Sequence, residues 1–268
     1  EISMAGMPKE NAQNIYSFNY SDFETLKNIV SDNDVGVVFM EVMRNINPKS
    51  DFLQKVRALC DQKGVVLVFD ECTSGFRTNN GGLHLEFDVV PDIAVFGKAL
   101  GNGYAITAII GTQSVMDCAI NNFISSTFWT ERIGPSAALA VLDFYEKHKP
   151  WTKILENGRK IKKMWNENFS NENIPISISD NDAIPSFTFL EDKMLIKKTL
   201  LTQTFIENSI LGGNLFYPSF SHNKNHFELY ENALKLFLEK LSLSNKGKYN
   251  LSDLITGEPC HPGLRRFN

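Results

Sequence analysis

Val65-Val66-Leu67-Val68-Phe69-Asp70-Glu71 carries an unbroken apolar run straight into two carboxylates. A run of this length without polar alternation reads as a strand covered on both faces, the pattern of a parallel sheet flanked by helices. In an open parallel sheet, ligands bind outside the carboxyl ends of the strands, so Asp70 stands where a site would be built. Upstream, Val35 to Met40 reads as another buried strand, ending at Glu41. Ser50 to Gly64 reads as the helix between the two, with Phe52, Leu53, Val56 and Leu59 on one stripe and Gly64 as its stop. Downstream, Ile93 to Phe96 and Ala108 to Ile110 extend the sheet. The alternation gives an α/β class.

Beyond Thr130 the pattern changes. One helical stretch runs from about Pro135 through Tyr145 and resumes from Trp151 to Phe169, beyond Pro150, which ends or kinks it. Short strands follow at Ile174 to Ile178 and Ser186 to Leu190, then helices near Lys193 to Asn208 and His226 to Leu241. The expected organisation is a large α/β domain over residues 1–134, a connecting helix with a smaller α+β domain over 135–243, and an irregular tail over 244–268.

Composition bounds the function. The chain has 268 residues, 43% hydrophobic and 22% charged, as globular proteins do, and is long enough for one large or two ordinary folding units. With 27 basic against 31 acidic residues the formal charge is −4, which leaves no broad positive field for a nucleic-acid backbone. No apolar run approaches the roughly 18 residues of a membrane span. The start, Glu1-Ile2-Ser3-Met4, shows neither a basic nor an apolar leader region and has no Met at position 1, as a piece of a longer chain would. Cys60, Cys72, Cys118 and Cys260 form no CxxC pair; they indicate neither a zinc site nor a disulfide framework, and a reducing cytoplasm fits best.

The chemistry concentrates at two strand ends. The strand Ile93 to Phe96 runs into Gly97-Lys98-Ala99-Leu100-Gly101-Asn102-Gly103, so a lysine emerges beside the acidic strand end. A lysine directly after a buried strand is unusual unless it is paired or used chemically. A Walker A reading fails on spacing, because Asp92 holds the first glycine position and Ala99 follows the lysine. A lysine and an aspartate on neighbouring strand ends suit pyridoxal 5'-phosphate instead. That cofactor is held as a Schiff base to a lysine while an acid keeps its ring nitrogen protonated. Taken singly, Asp70 reads better as a turn cap or a partner of Arg77, and Lys98 as a solvated loop residue.

The stretches Phe69-Asp70-Glu71-Cys72-Thr73-Ser74-Gly75-Phe76-Arg77 and Pro91-Asp92-Ile93-Ala94-Val95-Phe96-Gly97-Lys98-Ala99-Leu100-Gly101-Asn102-Gly103 resemble the signature of class III, fold-type-I PLP-dependent aminotransferases. Within them they are most similar to the glutamate-1-semialdehyde aminomutase branch. The resemblance implies a fold-type-I PLP-dependent transferase with a mainly parallel sheet, and an amino group moved between molecules or within one. It implies that Lys98 forms the internal aldimine and moves the proton, and that Asp70 pairs with the pyridinium nitrogen. Cys72, where the family has an apolar residue, would lie against the ring, and Thr73 would approach its phenolic oxygen. Glu41 would face the same cavity, though Val42 replaces the family's proline. In Ser125-Ser126-Thr127-Phe128-Trp129, Thr127 would reach the cofactor phosphate of a neighbouring subunit, with Ser126 and Trp129 in the pocket, which implies a homodimer with shared active sites.

This chain departs from the family in three respects. The family's main phosphate loop and stacking aromatic lie far upstream of the acidic strand, so this chain matches the C-terminal part of such an enzyme. Gly212 to His222 contains no arginine where many members bind a substrate carboxylate, which weighs against 2-oxoglutarate or a dicarboxylic amino acid bound in the standard manner. Trp129, Thr130, Glu131 and Arg132 are nonstandard for the family and point to an unusual pocket, suited to an amino sugar or other polyol. His222 is a candidate contact there. A non-catalytic relative or fragment serving as an interaction module is the competing reading, opposed by the joint presence of Asp70, Lys98 and Thr127.

Overall fold

A computed structural model describes residue 6, residues 8–49 and residues 51–261. Ser50, the expected start of the first long helix, and Pro262 and Gly263 of the expected tail lie outside the described residues. The chain divides into two compact units, Glu1–His148 and Lys149–Asn268.

The first unit is built from α1 (Lys9–Ala12), α2 (Phe23–Asp32), β1 (Val37–Glu41), α3 (Phe52–Lys63), β2 (Val66–Asp70), β3 (Ile93–Phe96), β4 (Ala108–Gly111), α4 (Gln113–Met116) and α5 (Ile133–His148). Its sheet has the order β1-β2-β3-β4. The first three strands are parallel, whereas β4 runs antiparallel to β3. The sheet is thus mainly parallel, as the resemblance implies, with β4 the exception. The residues 97–107 between β3 and β4 hold only a short helical turn, too little chain for a crossover to the same edge, so the strand must return in the opposite direction.

Coverage follows position in the sheet. In the inner strand β2, Leu67, Val68 and Phe69 are all buried, as expected. At the edge, β1 buries Val38 and Met40 but leaves Val37 and Phe39 more than half exposed, and β4 exposes both Ile109 and Ile110. The core of this unit joins Leu26 and Val30 of α2, Leu53, Val56 and Leu59 of α3, and Leu67 and Phe69 of β2. Helix α3 ends where Gly64 takes a left-handed conformation (φ 67°), the geometry that glycine adopts without steric cost. Helix α2 was not expected, although its signal is present. Asp22 caps it by accepting from Thr25 N at 3.2 Å, and Leu26 and Val30 repeat on its inner face.

The expected domain boundary at residue 134 precedes the boundary between units by the length of α5. That helix belongs to the first unit because Tyr145 is buried there, its hydroxyl donating to Phe76 O at 2.5 Å.

The second unit holds α6 (Trp151–Asn171), the hairpin-like pair β5 (Ile176–Ile178) and β6 (Phe187–Phe189), α7 (Met194–Glu207) and α8 (Lys224–Asn245). Strands β5 and β6 are antiparallel, so the unit is α+β. Its core gathers Trp165, Phe169, Phe187, Leu200, Phe205, Leu234 and Phe237, all essentially inaccessible. Within the expected tail, α8 extends to Asn245 and Leu251 is buried in this core at the start of a short helical turn.

Candidate functional site at the carboxyl ends of the strands

Three parallel strands end together. In register, Glu41 of β1 lies opposite Asp70 of β2, and Asp70 opposite Val95 of β3. The chain leaving β3 passes through Gly97 to Lys98, and the chain leaving β2 makes the turn Glu71 to Arg77. The two meet: Lys98 Nζ donates to Thr73 Oγ1 at 2.8 Å.

The path of each segment is fixed locally. Lys98 has φ 45°, in the left-handed region that costs a non-glycine residue about 1 kcal/mol. It is held there by the turn it starts, with Leu100 N donating to Gly97 O and Asn102 N to Lys98 O, both at 3.0 Å. Gly101 closes the turn, and a side chain there would run into the carbonyl of Tyr104. On the other side, Asp70 Oδ1 accepts from Cys72 N at 2.9 Å, a local turn that leaves the rest of the carboxylate at the strand end. A Cβ on Gly97 would lie 3.5 Å from Cys72 Sγ and 3.4 Å from Thr107, so the thiol faces the start of the lysine turn. Burial, then the neighbouring carboxylate of Asp70, pushes the Cys72 thiol up, so it stays protonated at neutral pH.

The sequence candidates therefore separate into two groups. Asp70, Cys72, Thr73 and Lys98 share one strand-end locus, with Glu41 at the adjoining strand end, where it pairs with Arg44 at 3.3 Å. Ser126, Thr127 and Trp129 stand on an exposed loop that precedes α5. There Phe128 N donates to Ser126 Oγ at 3.1 Å, and Glu131 caps α5 through Gly134 N at 3.2 Å and Ile133 N. Among the described residues no hydrogen bond joins this loop to the Lys98 locus. Lys98 itself is exposed.

Sequence reading left one part of the site without a role. Glu71, beside Asp70, is completely buried. Its Oε1 accepts from His84 N at 2.9 Å and faces His84 Nδ1 at 2.8 Å, and its Oε2 accepts from Ser74 Oγ. Burial raises the Glu71 carboxyl, but the hydrogen bonds from His84 and Ser74 outweigh it and hold the group below its ordinary value. The Asp-Glu doublet signalled a buried acid, but nothing local pointed to His84, which reaches it from 13 residues further along the β2–β3 connection.

Comparison with known proteins gives a consistent picture. The family model described as aminotransferase class-III matches residues 8–192. The 3-aminobutyryl-CoA aminotransferase of Cloacimonas acidaminovorans is 30% identical over 226 residues, 81% of this chain and 54% of that protein. The glutamate-1-semialdehyde 2,1-aminomutase of Campylobacter hominis is 36% identical over 119 residues, 43% of this chain and 26% of that protein. Among solved structures, the FumI protein of Sphingopyxis sp. MTA144 in its PLP internal aldimine form superposes with a TM-score of 0.83 at 18% identity, covering 94% of this chain and 63% of that one. An omega-transaminase from Sphaerobacter thermophilus gives 0.80 at 17% identity, covering 88% and 59%. The fold is shared, and the chain spans about half the length of the 3-aminobutyryl-CoA relative, 54%.

Proposed function

This chain belongs to the class-III aminotransferase family, and on that premise we propose that the protein carrying it transfers an amino group with pyridoxal 5'-phosphate, between two molecules or between adjacent carbons of one. The observation that carries the reading is the primary amine of Lys98 at the end of β3, 2.8 Å from Thr73 Oγ1, beside the strand end that bears Asp70. An amine and a carboxylate on neighbouring strand ends, with Cys72 and Thr73 between them, are the donor set this cofactor requires, so the residues fit it. When bound, the cofactor supplies an electron-accepting ring that stabilises negative charge at the substrate carbon.

Each residue then has a defined task. Lys98 would hold the cofactor through Nζ, and the same nitrogen, when free, would carry a proton to or from the substrate carbon. Asp70 keeps the proton on the ring nitrogen through its carboxylate. Cys72, kept as the thiol, would lie against the ring as a small apolar group. Thr73 hydrogen-bonds the amine of Lys98 and is placed to meet the phenolic oxygen. Glu41 lines the far strand end. Thr127 serves the cofactor phosphate of a second protomer, with Ser126 and Trp129 in the pocket. Phe123 and Phe128 on the same loop are 96% and 73% exposed, apolar surface that a homodimer interface would cover. Substrates are amino acids or amino sugars, bound without an arginine from Gly212 to His222.

The test is optical. Full-length protein supplied with pyridoxal phosphate should develop a visible absorption band that bleaches with an amino donor, and Lys98→Ala should abolish the band. Full-length protein that stays colourless would leave only the reading as an interaction module.

A further inference from the structure

We propose that Glu71 and His84 form a positioning pair that sets the turn bearing Asp70, Cys72 and Thr73 against Lys98. The inference rests on the cofactor-binding reading above and assigns work to a buried acid which that reading leaves idle.

A carboxylate removed entirely from water is expensive, and replacing such a group by a well-packed apolar residue is often neutral or stabilising. Packing alone therefore does not call for a glutamate at position 71. What the carboxylate provides is direction. Oε1 accepts from His84 N at 2.9 Å and lies 2.8 Å from His84 Nδ1, and Oε2 accepts from Ser74 Oγ. The backbone of the same residue is held at both ends, its N–H donating to Val95 O and its carbonyl accepting from Gly75 N, each at 2.8 Å. Residue 71 is thus tied to β3, to the far end of its own turn and to the 83–87 segment at once. Asp70 lies on one side of it in the chain, Cys72 and Thr73 on the other.

The surroundings are shaped to admit the imidazole. Gly82 leaves its Cα bare where a side chain would collide with the His84 ring and come within 2.8 Å of Glu71 Oε1. His84 is itself buried, its ring centroid 6.1 Å from that of Phe69. With the carboxylate ionised, Nδ1 carries the proton and donates. Among the described residues no hydrogen bond joins the pair to Lys98, so its effect passes through the turn. A misplacement of Thr73 or Asp70 by a fraction of an ångström would show in cofactor binding before it showed in folding.

The experiment uses full-length protein with pyridoxal phosphate, comparing wild type, His84→Ala, His84→Asn, Glu71→Gln and Ser74→Ala. The measurements are the cofactor dissociation constant, the pH midpoint of the visible band and the thermal midpoint. His84→Ala and Ser74→Ala should weaken cofactor binding on the order of tenfold and move the pH midpoint by about half a unit or more. His84→Asn, which keeps a donor where Nδ1 was, and Glu71→Gln, which keeps an acceptor, should stay within about threefold of wild type. If His84→Ala does not fold, Ser74→Ala carries the test, because it removes one hydrogen bond and little volume. A lower thermal midpoint with unchanged affinity and pH midpoint in both alanine variants would overturn the positioning role. A wild-type protein without the band would overturn the cofactor reading instead.

Discussion

At residue scale, the site is a contrast between two neighbouring carboxylates. Asp70 accepts one backbone hydrogen bond and keeps the rest of its carboxylate at the strand end, whereas Glu71 turns inward and is wholly consumed by His84 and Ser74. Adjacent residues at the end of a strand point to opposite faces, so one acid is available for chemistry and the other for architecture. Asp70→Asn tests the first role. Its Oδ1 can still accept from Cys72 N, so the turn should survive, but the negative charge that holds the ring proton is gone. Turnover should fall by on the order of a hundredfold while the visible band persists, as steady-state kinetics and absorbance on the full-length protein would show.

At the scale of elements, the N-terminus of α8 is capped reciprocally by Asn223 and the ring of His226. Asn223 Oδ1 accepts from Asn225 N and His226 N, while His226 Nδ1 accepts from Asn223 N at 3.1 Å. Just upstream, His222 Nδ1 accepts from Ser219 N, also at 3.1 Å. A protonated ring can do neither, and a cation at a helix N-terminus opposes the helix dipole. Burial lowers the His222 pKa, with the charges of His226 and Lys153 adding to it. A histidine depressed in the folded state gives stability that is complete above its unfolded value of about 6.5 and is lost as pH falls through the folded value. Thermal unfolding followed from pH 8 to pH 5 should therefore show the second unit losing stability on the acid side. His222→Asn, which keeps an acceptor without a titrating ring, should flatten that slope.

At the scale of the molecule, two cores have been built by different means. The second unit is densely aromatic, with Trp165 Nε1 donating to Tyr230 Oη at 2.9 Å inside it. Helix α6 lies against the 180–184 turn so closely that Gly158 has no room for a side chain, because an added Cβ would overlap the carbonyl of Asp182. Gly158→Ala should destabilise this unit by about 3 kcal/mol or more, measured as a fall in its denaturation midpoint, since a backbone carbonyl cannot step aside as a side chain can. The first unit is different. Val37, Phe39, Ile109 and Ile110 leave apolar surface on both edge strands of its sheet, the kind of edge that proteins usually pair or cover.

The amino-acid sequence by itself determined the strands and their order along the chain, because continuous β-branched runs, a glycine stop at Gly64 and a proline at position 150 act through near neighbours. It also placed Asp70, Thr73 and Lys98 at strand ends, since a short motif carries its own local geometry. Tertiary structure alone decided the antiparallel return of β4, the uncovered faces of the edge strands, and the passage of α5 into the first unit through Tyr145. It alone joined His84 to Glu71. These outcomes depend on contacts between residues far apart in the chain, whose energies arise only when the segments meet and leave no periodicity in the sequence to read.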